Sequence, residues 1–453
     1  MKNRICSSLA DVLDAYAKSQ PARFHMPGHK GQLRSPMLSP IAPFDVTEID
    51  GTDDLHSPDG VILGLEKRFA DVYGAKACIL SVNGSTAGNI SMLLSLGIEK
   101  RVLVDGNCHR SVLSGIALCG HDAIPVRLVN EFGVITPEQV ALELSKQKVD
   151  AVFVTSPNYY GFCADIPLIA DIVHSHGAKL FVDAAHGASF PFCPDLPPVP
   201  HEADAWVVSC HKTLNAMTQT SILCIGKHSA ISVNRLRYSM SLIESSSPSY
   251  VLLLSVENAL NNVGDWSRHY ARILDLRKRL SRINGISLLD GSPAFFDKTR
   301  LCISVCGKTG YELSRELSEF GIIVEMADML NVVLITTPND PDEWYLRLEH
   351  ALERIDKRSK GRSKMPPLPT TFYTRQKLCV REAMLKDCEQ VELRDSVGRV
   401  SASAVGSYPP GTALLFPGEL ICNEQIDYLN EILSAGGKLF GAEGMKISVV
   451  KED

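Results

Sequence analysis

The sequence contains no uninterrupted apolar run approaching the roughly 20 residues needed to cross a bilayer, although 45% of its 453 residues are hydrophobic. No membrane partner is expected. It also lacks a strong charge of either sign: 46 Lys and Arg stand against 52 Asp and Glu, a formal net charge of −6. That balance leaves no footprint for a nucleic acid or another polyanion. The opening "MKNRICSSLADVLDAYAKS" is charged, but no apolar h-region follows it, so a cytoplasmic chain is expected. The 13 cysteines include no CxxC pair and no ligand spacing. No metal site is expected. Cysteines such as Cys78, Cys224 and Cys302, set inside apolar runs, read as small buried hydrophobes in a reducing compartment. Internal repeats and low-complexity tracts are absent too. What remains is a chain long enough to bury more than one core.

From Val61 onward, helical patterns alternate with short β-rich runs. "GLEKRFADVYG" reads as a helix and "ACILSV" as a strand; "NISMLLSLG" and "RVLVD", then "RSVLSGIALCG" and "AIPVRLV", repeat the pair. "TPEQVALELSKQ" is a helix with Thr136 as N-cap and Pro137 in its first turn. "DAVFVTSP", "KLFVDAAH", "AWVVSCHK" and "SILCIG" supply further strands. The alternation predicts an α/β fold with a mostly parallel, doubly wound sheet. After about residue 250 the pattern changes to a long helical tract, Val251 to Arg282, followed by strands and helices of a smaller α+β domain. The expected divisions are an N-terminal arm (1–45) suited to packing on a partner subunit, a large domain (46–250), a smaller α+β domain (251–356), a basic then Pro-rich linker (357–371) and a C-terminal α+β domain (372–453).

Two strand ends carry the chemistry. "FVDAAHGASF" places Asp183 at the end of one apolar strand, and "SCHKT" places Lys212 beside His211 at the end of the next. Ligands bind at such carboxyl ends in open α/β sheets. The pair reads as a structural ion pair or as a grip on a cofactor from two sides. A desolvated lysine is a nucleophile that forms a Schiff base with an aldehyde. Pyridoxal phosphate (PLP) is an aldehyde cofactor held this way, and it needs a carboxylate on its pyridine nitrogen. The acid-first order with about 30 residues between suits an aminotransferase-like PLP fold. "NGSTAGN" (83–89) follows a strand and opens a helix, so backbone amides there suit a phosphate. Gly84 permits close approach, and Ser85 and Thr86 add hydroxyls, although a plain N-cap explains either hydroxyl equally well. His109, just past another strand end, is placed to stack on a ring or simply to cap a helix. Ser209 and His211 precede the lysine and are candidates for the phosphate; His186 is a candidate neighbour of Asp183 or the cofactor.

Taken together, "RFHMPGHKG" (23–31), "DVTEIDGTDDLHSPDGVI" (45–62), "VNGSTAGN" (82–89), "DGNCHRSV" (105–112), "SPNYYGFCADI" (156–166), "DAAHGASF" (183–190), "SCHKTLNAMTQTSIL" (209–223), "SSSPSYVLL" (246–254), "VEMAD" (324–328), "GRVSA" (398–402) and "YPPGTALLFPGE" (408–419) resemble the signatures of the Orn/Lys/Arg decarboxylase family, in its short form without an N-terminal receiver-like wing. The resemblance implies PLP on Lys212, Asp183 at the pyridine nitrogen, His109 on the ring face, and Ser85, Thr86, Ser209 and Ser246 or Ser247 at the phosphate, with His211 beside the lysine. It implies decarboxylation of arginine, lysine or ornithine to a polyamine-pathway amine by a homodimer or larger even oligomer. Departures fall elsewhere. The usual "DEAHGAH" reads "DAAHGAS", so Ala184 stands for an acid and Ser189 for a histidine. Ser403 stands where a glutamate is common before "YPPG". These changes predict weaker recognition of a distal cation, unless Glu325 or Asp328 in "VEMAD" or the neighbouring subunit supplies it. An aminotransferase or aldol-type lyase, and a regulatory paralogue without turnover, are the alternatives.

Overall fold

The structure is a computed structural model that describes residues 8–126, 133–291, 294–355, 375–408 and 411–452. Eight strands come first: β1 (Ala77–Ser81), β2 (Arg101–Asp105), β3 (Asp122–Val126), β4 (Ala151–Thr155), β5 (Phe162–Cys163), β6 (Lys179–Asp183), β7 (Ala205–Ser209) and β8 (Ser221–Ile225). Seven of them form one sheet in the order β1-β8-β7-β6-β4-β2-β3. The pairs from β3 through β2, β4 and β6 to β7 are parallel. Strand β8 runs antiparallel between β7 and β1. Such a sheet is covered on both faces, which is why its strands read as continuous apolar runs. Alternate residues feed two cores. Leu103, Val152, Leu180, Val182, Trp206 and Ile222 point to one. Val102, Phe153, Phe181, Val207 and Leu223 point to the other.

The first four helices are α1 (Leu9–Lys18), α2 (Val61–Val72), α3 (Gly84–Ser95) and α4 (Arg110–Cys119), of which α3 and α4 reach the site. The arm helix α1 docks on its own chain, with Leu9 and Leu13 in the first core. Glu257 accepts from the Leu9 amide at 3.2 Å and the Ala10 amide at 2.8 Å, satisfying two first-turn donors. The helix after β3 starts as the residues dictate, with Thr136 and Gln139 closing a capping box and Pro137 behind the cap. Gly120 ends α4 in the left-handed conformation at φ 68°. The tract expected to run unbroken from Val251 to Arg282 is two helices, Tyr250–Asn261 and Trp266–Leu280. Gly264 turns left-handed at φ 81°. Asp265 then caps the new helix by accepting from the Arg268 amide at 2.9 Å. Strand β7 likewise ends at Ser209, and Lys212 lies in the single helical turn Cys210–Thr213 that follows.

A second sheet has the order β12-β13-β11-β9. Its strands are β9 (Ile286–Leu288), β11 (Arg300–Val305), β12 (Met326–Ala327) and β13 (Val332–Ile335), while β10 (Phe295–Phe296) pairs instead with β5. The stretch expected as a linker, 357–371, lies outside the described residues. Beyond it, strands Cys388–Glu392, Lys446–Val450 and Ala442–Glu443 form a third sheet. The short helix Val380–Leu385 lays this part of the chain against α4, with Val380 and Phe416 entering the second core. Arg381 Nη1 donates to the carbonyls of Ala117 at 3.4 Å and Leu118 at 3.3 Å. Among the described residues no helix is long and apolar enough to cross a membrane, and no group of His, Cys, Asp and Glu is placed to hold a metal.

Candidate active site

The parallel strands β2, β4, β6 and β7 end on the same side of the sheet, and antiparallel β8 begins there. Asp105, Asp183, Ser209 and Ser221 are therefore gathered at one buried edge, with Asp183 opposite Thr155 and Ser209 opposite Ser221. Asp183 is fixed from two sides. Asn89 Nδ2 on α3 donates to Oδ2 at 2.7 Å, and the Ala185 amide donates to Oδ1 at 3.1 Å. Asn89 Nδ2 also donates to Ser111 Oγ at 3.0 Å. Ser111 Oγ lies 2.8 Å from His109 Nδ1, and His109 caps α4 by accepting from the Ser111 amide at 3.2 Å. One polar chain thus joins the strand-end acid to the imidazole. Burial pushes the His109 pKa down, against the pull of Asp183 and with the push of Lys212.

Among the described residues no ion pair joins Asp183 to Lys212. Lys212 Nζ instead lies 3.0 Å from His186 Nε2 and 5.3 Å from the centre of the Tyr159 ring. Tyr159 in turn packs on His186 with ring centres 4.3 Å apart. Lys212 keeps some exposed surface, yet the protein around its amine disfavours the charged form. Its pKa falls chiefly by desolvation, with Asp183 and Glu325 opposing and Arg300 adding to the fall. His186 is held well below the ordinary imidazole range, first by burial and then by Lys212 and Arg300.

The start of α3 is open for a ligand. Gly84 stands at φ 71° with nothing within 4 Å of where a side chain would begin. The N-cap Asn83 makes no side-chain bond to the first turn, Ser85 is partly covered, and Thr86 is exposed. Ser209 Oγ is buried with no hydrogen-bond partner. Glu244 bonds Ser81 at the end of β1, and Asn83 Nδ2 donates to Ile243 O at 3.2 Å. These two bonds bring the segment carrying exposed Ser246 toward the α3 start, without a bond from Ser246 itself. His211 Nδ1 meets the Thr220 carbonyl at 3.0 Å, so that nitrogen faces backbone. A PLP molecule fits this donor set: an unpartnered buried hydroxyl and the helix-start amides after that of Gly84, which is bonded to the Gln219 carbonyl, at one end, a fixed carboxylate and a low-pKa amine at the other.

Several neighbours of the site escaped sequence reading. Asn89 was legible only as the last letter of "NGSTAGN", on the buried face of α3. Tyr159 follows the end of β4 in a run of two tyrosines. Arg300 is a lone cation in the buried strand "RLCISV", 1% exposed. Its Nη2 lies 3.0 Å from His186 Nδ1.

Residues 7–303 match the major domain of the Orn/Lys/Arg decarboxylases, and residues 364–444 match their C-terminal domain. The chain belongs to the Orn/Lys/Arg decarboxylase family. An arginine decarboxylase of Bacillus subtilis is 30% identical over 97% of this chain and 96% of its own length. The constitutive lysine decarboxylase structure of E. coli superposes with a TM-score of 0.81 at 19% identity, covering 98% of this chain and 82% of that one. At that identity the decarboxylase likeness is one of fold. A more distant neighbour, an SPT variant solved with PLP, has a TM-score of 0.51 and 15% identity over 64% of this chain and 75% of its own.

Proposed function

We propose that the protein is a PLP-dependent decarboxylase of a basic amino acid, with arginine or lysine favoured by its relatives. The observation that carries this reading is the half-covered Lys212, whose amine pKa is pushed down. It lies at the same strand edge as the doubly anchored carboxylate of Asp183. Lys212 would hold PLP covalently. Asp183 would keep a proton on the pyridine nitrogen, its two bonds preventing the carboxylate from turning away. His109, pinned through Ser111, would cover the ring. The α3 amides with Ser85 and Thr86, and Ser209 and Ser246, would bind the phosphate. When bound, PLP supplies an electron sink for the charge left on the substrate as carbon dioxide departs. The protein supplies orientation and a partly dry cleft, where fixed dipoles act strongly.

The C-terminal part closes one side of the cleft. Thr412 pairs with His109 in an isolated bridge, and Gly411 lies against the imidazole. Glu325, exposed but close enough to act on both Lys212 and Tyr159, is the free acid positioned for a distal cation. Asp328 is already used, accepting from Tyr160 Oη at 2.6 Å and from the Leu330 and Asn331 amides at 2.6 and 2.7 Å. The arm beyond α1 leaves Phe24, Met26 and Met37 exposed, which supports a homo-oligomer in which a second copy covers it. The test is to incubate purified protein and PLP with arginine, lysine and ornithine and to identify the product. Agmatine, cadaverine or putrescine supports the reading. A keto acid product, or no turnover of any of the three, removes it.

A further inference from the structure

We propose that Arg300 is a positioning residue that acts through His186 to hold Lys212 as a neutral, correctly aimed amine. The inference rests on Lys212 being the amine that holds the cofactor, and its logic is one of donors and acceptors. Arg300 Nη2 is 3.0 Å from His186 Nδ1 and 3.4 Å from the His186 carbonyl. A guanidinium has donors and no acceptor, so Nδ1 must accept. A neutral imidazole that accepts at Nδ1 carries its hydrogen at Nε2. Nε2 lies 3.0 Å from Lys212 Nζ, so the imidazole donates there and the amine must offer a lone pair. An ammonium has none. A charged Lys212 would force Nε2 to accept, and Nδ1 would then present a hydrogen to the donating guanidinium. A doubly protonated imidazole meets the same clash. Arg300 thus excludes both charged alternatives by geometry.

The arrangement is built to be rigid. Arg300 is 1% exposed on β11, and its Nε lies 3.7 Å from Oδ2 of the equally buried Asp297. Its carbonyl accepts from Arg277 Nη1 at 3.2 Å. Gly161, at φ 95°, leaves the room that the Arg300 side chain fills: a Cβ there would stand 2.9 Å from Arg300 Cγ. Tyr159 packs on the other side of His186. The relay also links two parts of the chain, because β11 belongs to the second sheet and Lys212 lies in the helical turn that follows β7 of the first. The other ionisable groups facing the amine are Asp183, Glu325, His109, His211 and the Tyr159 phenol. Of these, Asp183 and Glu325 favour the ammonium and so work against Arg300.

The test follows PLP capture by the protein stripped of cofactor, and it does not require turnover. Capture joins the amine nitrogen to the aldehyde carbon with loss of water, and only the free base can start it. Capture rate is measured against pH by visible absorbance, with borohydride fixation and peptide mapping at residue 212. In parallel, the nitrogen shifts of ¹⁵N-histidine report the tautomer of His186, assigned by loss of its signals in His186→Phe. For Arg300→Met the pH midpoint of capture should rise by about one unit or more, the scale of a lost neighbouring charge. His186 should lose its fixed Nε2–H form. Arg300→Lys, which keeps a charge and a donor, should restore both. His186→Phe, which leaves Arg300 in place, should also raise the midpoint, and it decides the matter if Arg300→Met does not fold. An unmoved midpoint in either Arg300→Met or His186→Phe, or an Nδ1–H tautomer in the unaltered protein, overturns the inference. Fixation of the label on another lysine instead overturns the cofactor reading on which it rests.

Discussion

Replacing Asp183 by asparagine tests the centre of the site, and the structure fixes what to expect. Both carboxylate oxygens accept from donors: Oδ2 from Asn89 Nδ2 at 2.7 Å and Oδ1 from the Ala185 amide at 3.1 Å. Asparagine offers only one acceptor, so whichever way its amide turns, one buried donor faces an NH₂ group. An unsatisfied buried donor costs about 1–3 kcal/mol, and Asp183→Asn should lower stability by that amount in urea unfolding of the cofactor-free protein. Turnover should fall further, by roughly 10²-fold or more, as expected when a key electrostatic group is removed. The two effects separate in the exchange Asn89→Asp with Asp183→Asn. There the amide at 183 donates to the carboxylate at 89 and accepts from Ala185, so the pairing and the stability return. The charge no longer sits at the strand end, so turnover should not return. Near-normal turnover in Asp183→Asn, or full recovery of turnover in the exchange, would refute the reasoning.

Three further outcomes are expected. His269, buried and 2.9 Å from Arg272 Nη2, has its pKa lowered from 6.5 to about 4. The unfolded chain therefore takes up this proton first, so stability should drop by about 3 kcal/mol between pH 6.5 and 4, and His269→Gln should flatten that part of a stability against pH curve. Ala184→Glu places a carboxylate in the apolar core and should cost roughly 3 kcal/mol or more in chemical unfolding without raising kcat/KM for arginine or lysine, whereas Ser403→Glu, in the segment leading to His109, should raise it with aliphatic substrates unchanged. Glu325→Gln should lower kcat/KM for basic substrates about ten- to a hundredfold, the value of a hydrogen bond to a charged group, and steady-state kinetics with an aliphatic substrate should show little change.

The mostly parallel sheet was legible because its strands are short apolar runs separated by helices with strong end signals. Thr136 and Pro137 mark one start, and Gly120 marks one end. The broken helix at Gly264 was missed because apolar periodicity resumes immediately at Trp266, and the signal that decides it, Gly then Asp, is only two residues long. Within the site, Asp183 ends β6, and Lys212, His109 and the α3 start lie within a few residues past strand ends, where sequence spacing alone points. Asn89, Ser111 and Arg300 could not be found that way. Asn89 and Arg300 act on atoms far along the chain, Asp183 being 94 and His186 114 residues away, while Ser111 bonds His109 two residues before it, and the types of all three are unremarkable until the sheet order brings them together.

The departures from the family pattern look different once they have positions. Ala184 sits with Val182 and Leu180 in the first core, and its amide donates to Val207 O at 3.0 Å. Its side chain therefore fills core, not a pocket wall, and the missing acid there bears on packing before it bears on substrate. Ser189 is fully buried with an unpartnered hydroxyl, so it too is an interior position. Ser403 differs. The residue as a whole is only partly covered, although its hydroxyl is buried without a partner. The chain running on from it is tied down by Val405 against Leu415 and by Thr412 against His109. Of the acids that the sequence offered as substitutes, Asp328 is saturated by Tyr160 and two amides, which leaves the exposed Glu325, whose charge acts on Lys212 and Tyr159. A guanidinium or ammonium brought into the cleft needs an acceptor that is not already committed. By that criterion Glu325 is the acid we propose for substrate choice, and Glu325→Gln is the variant that tests it.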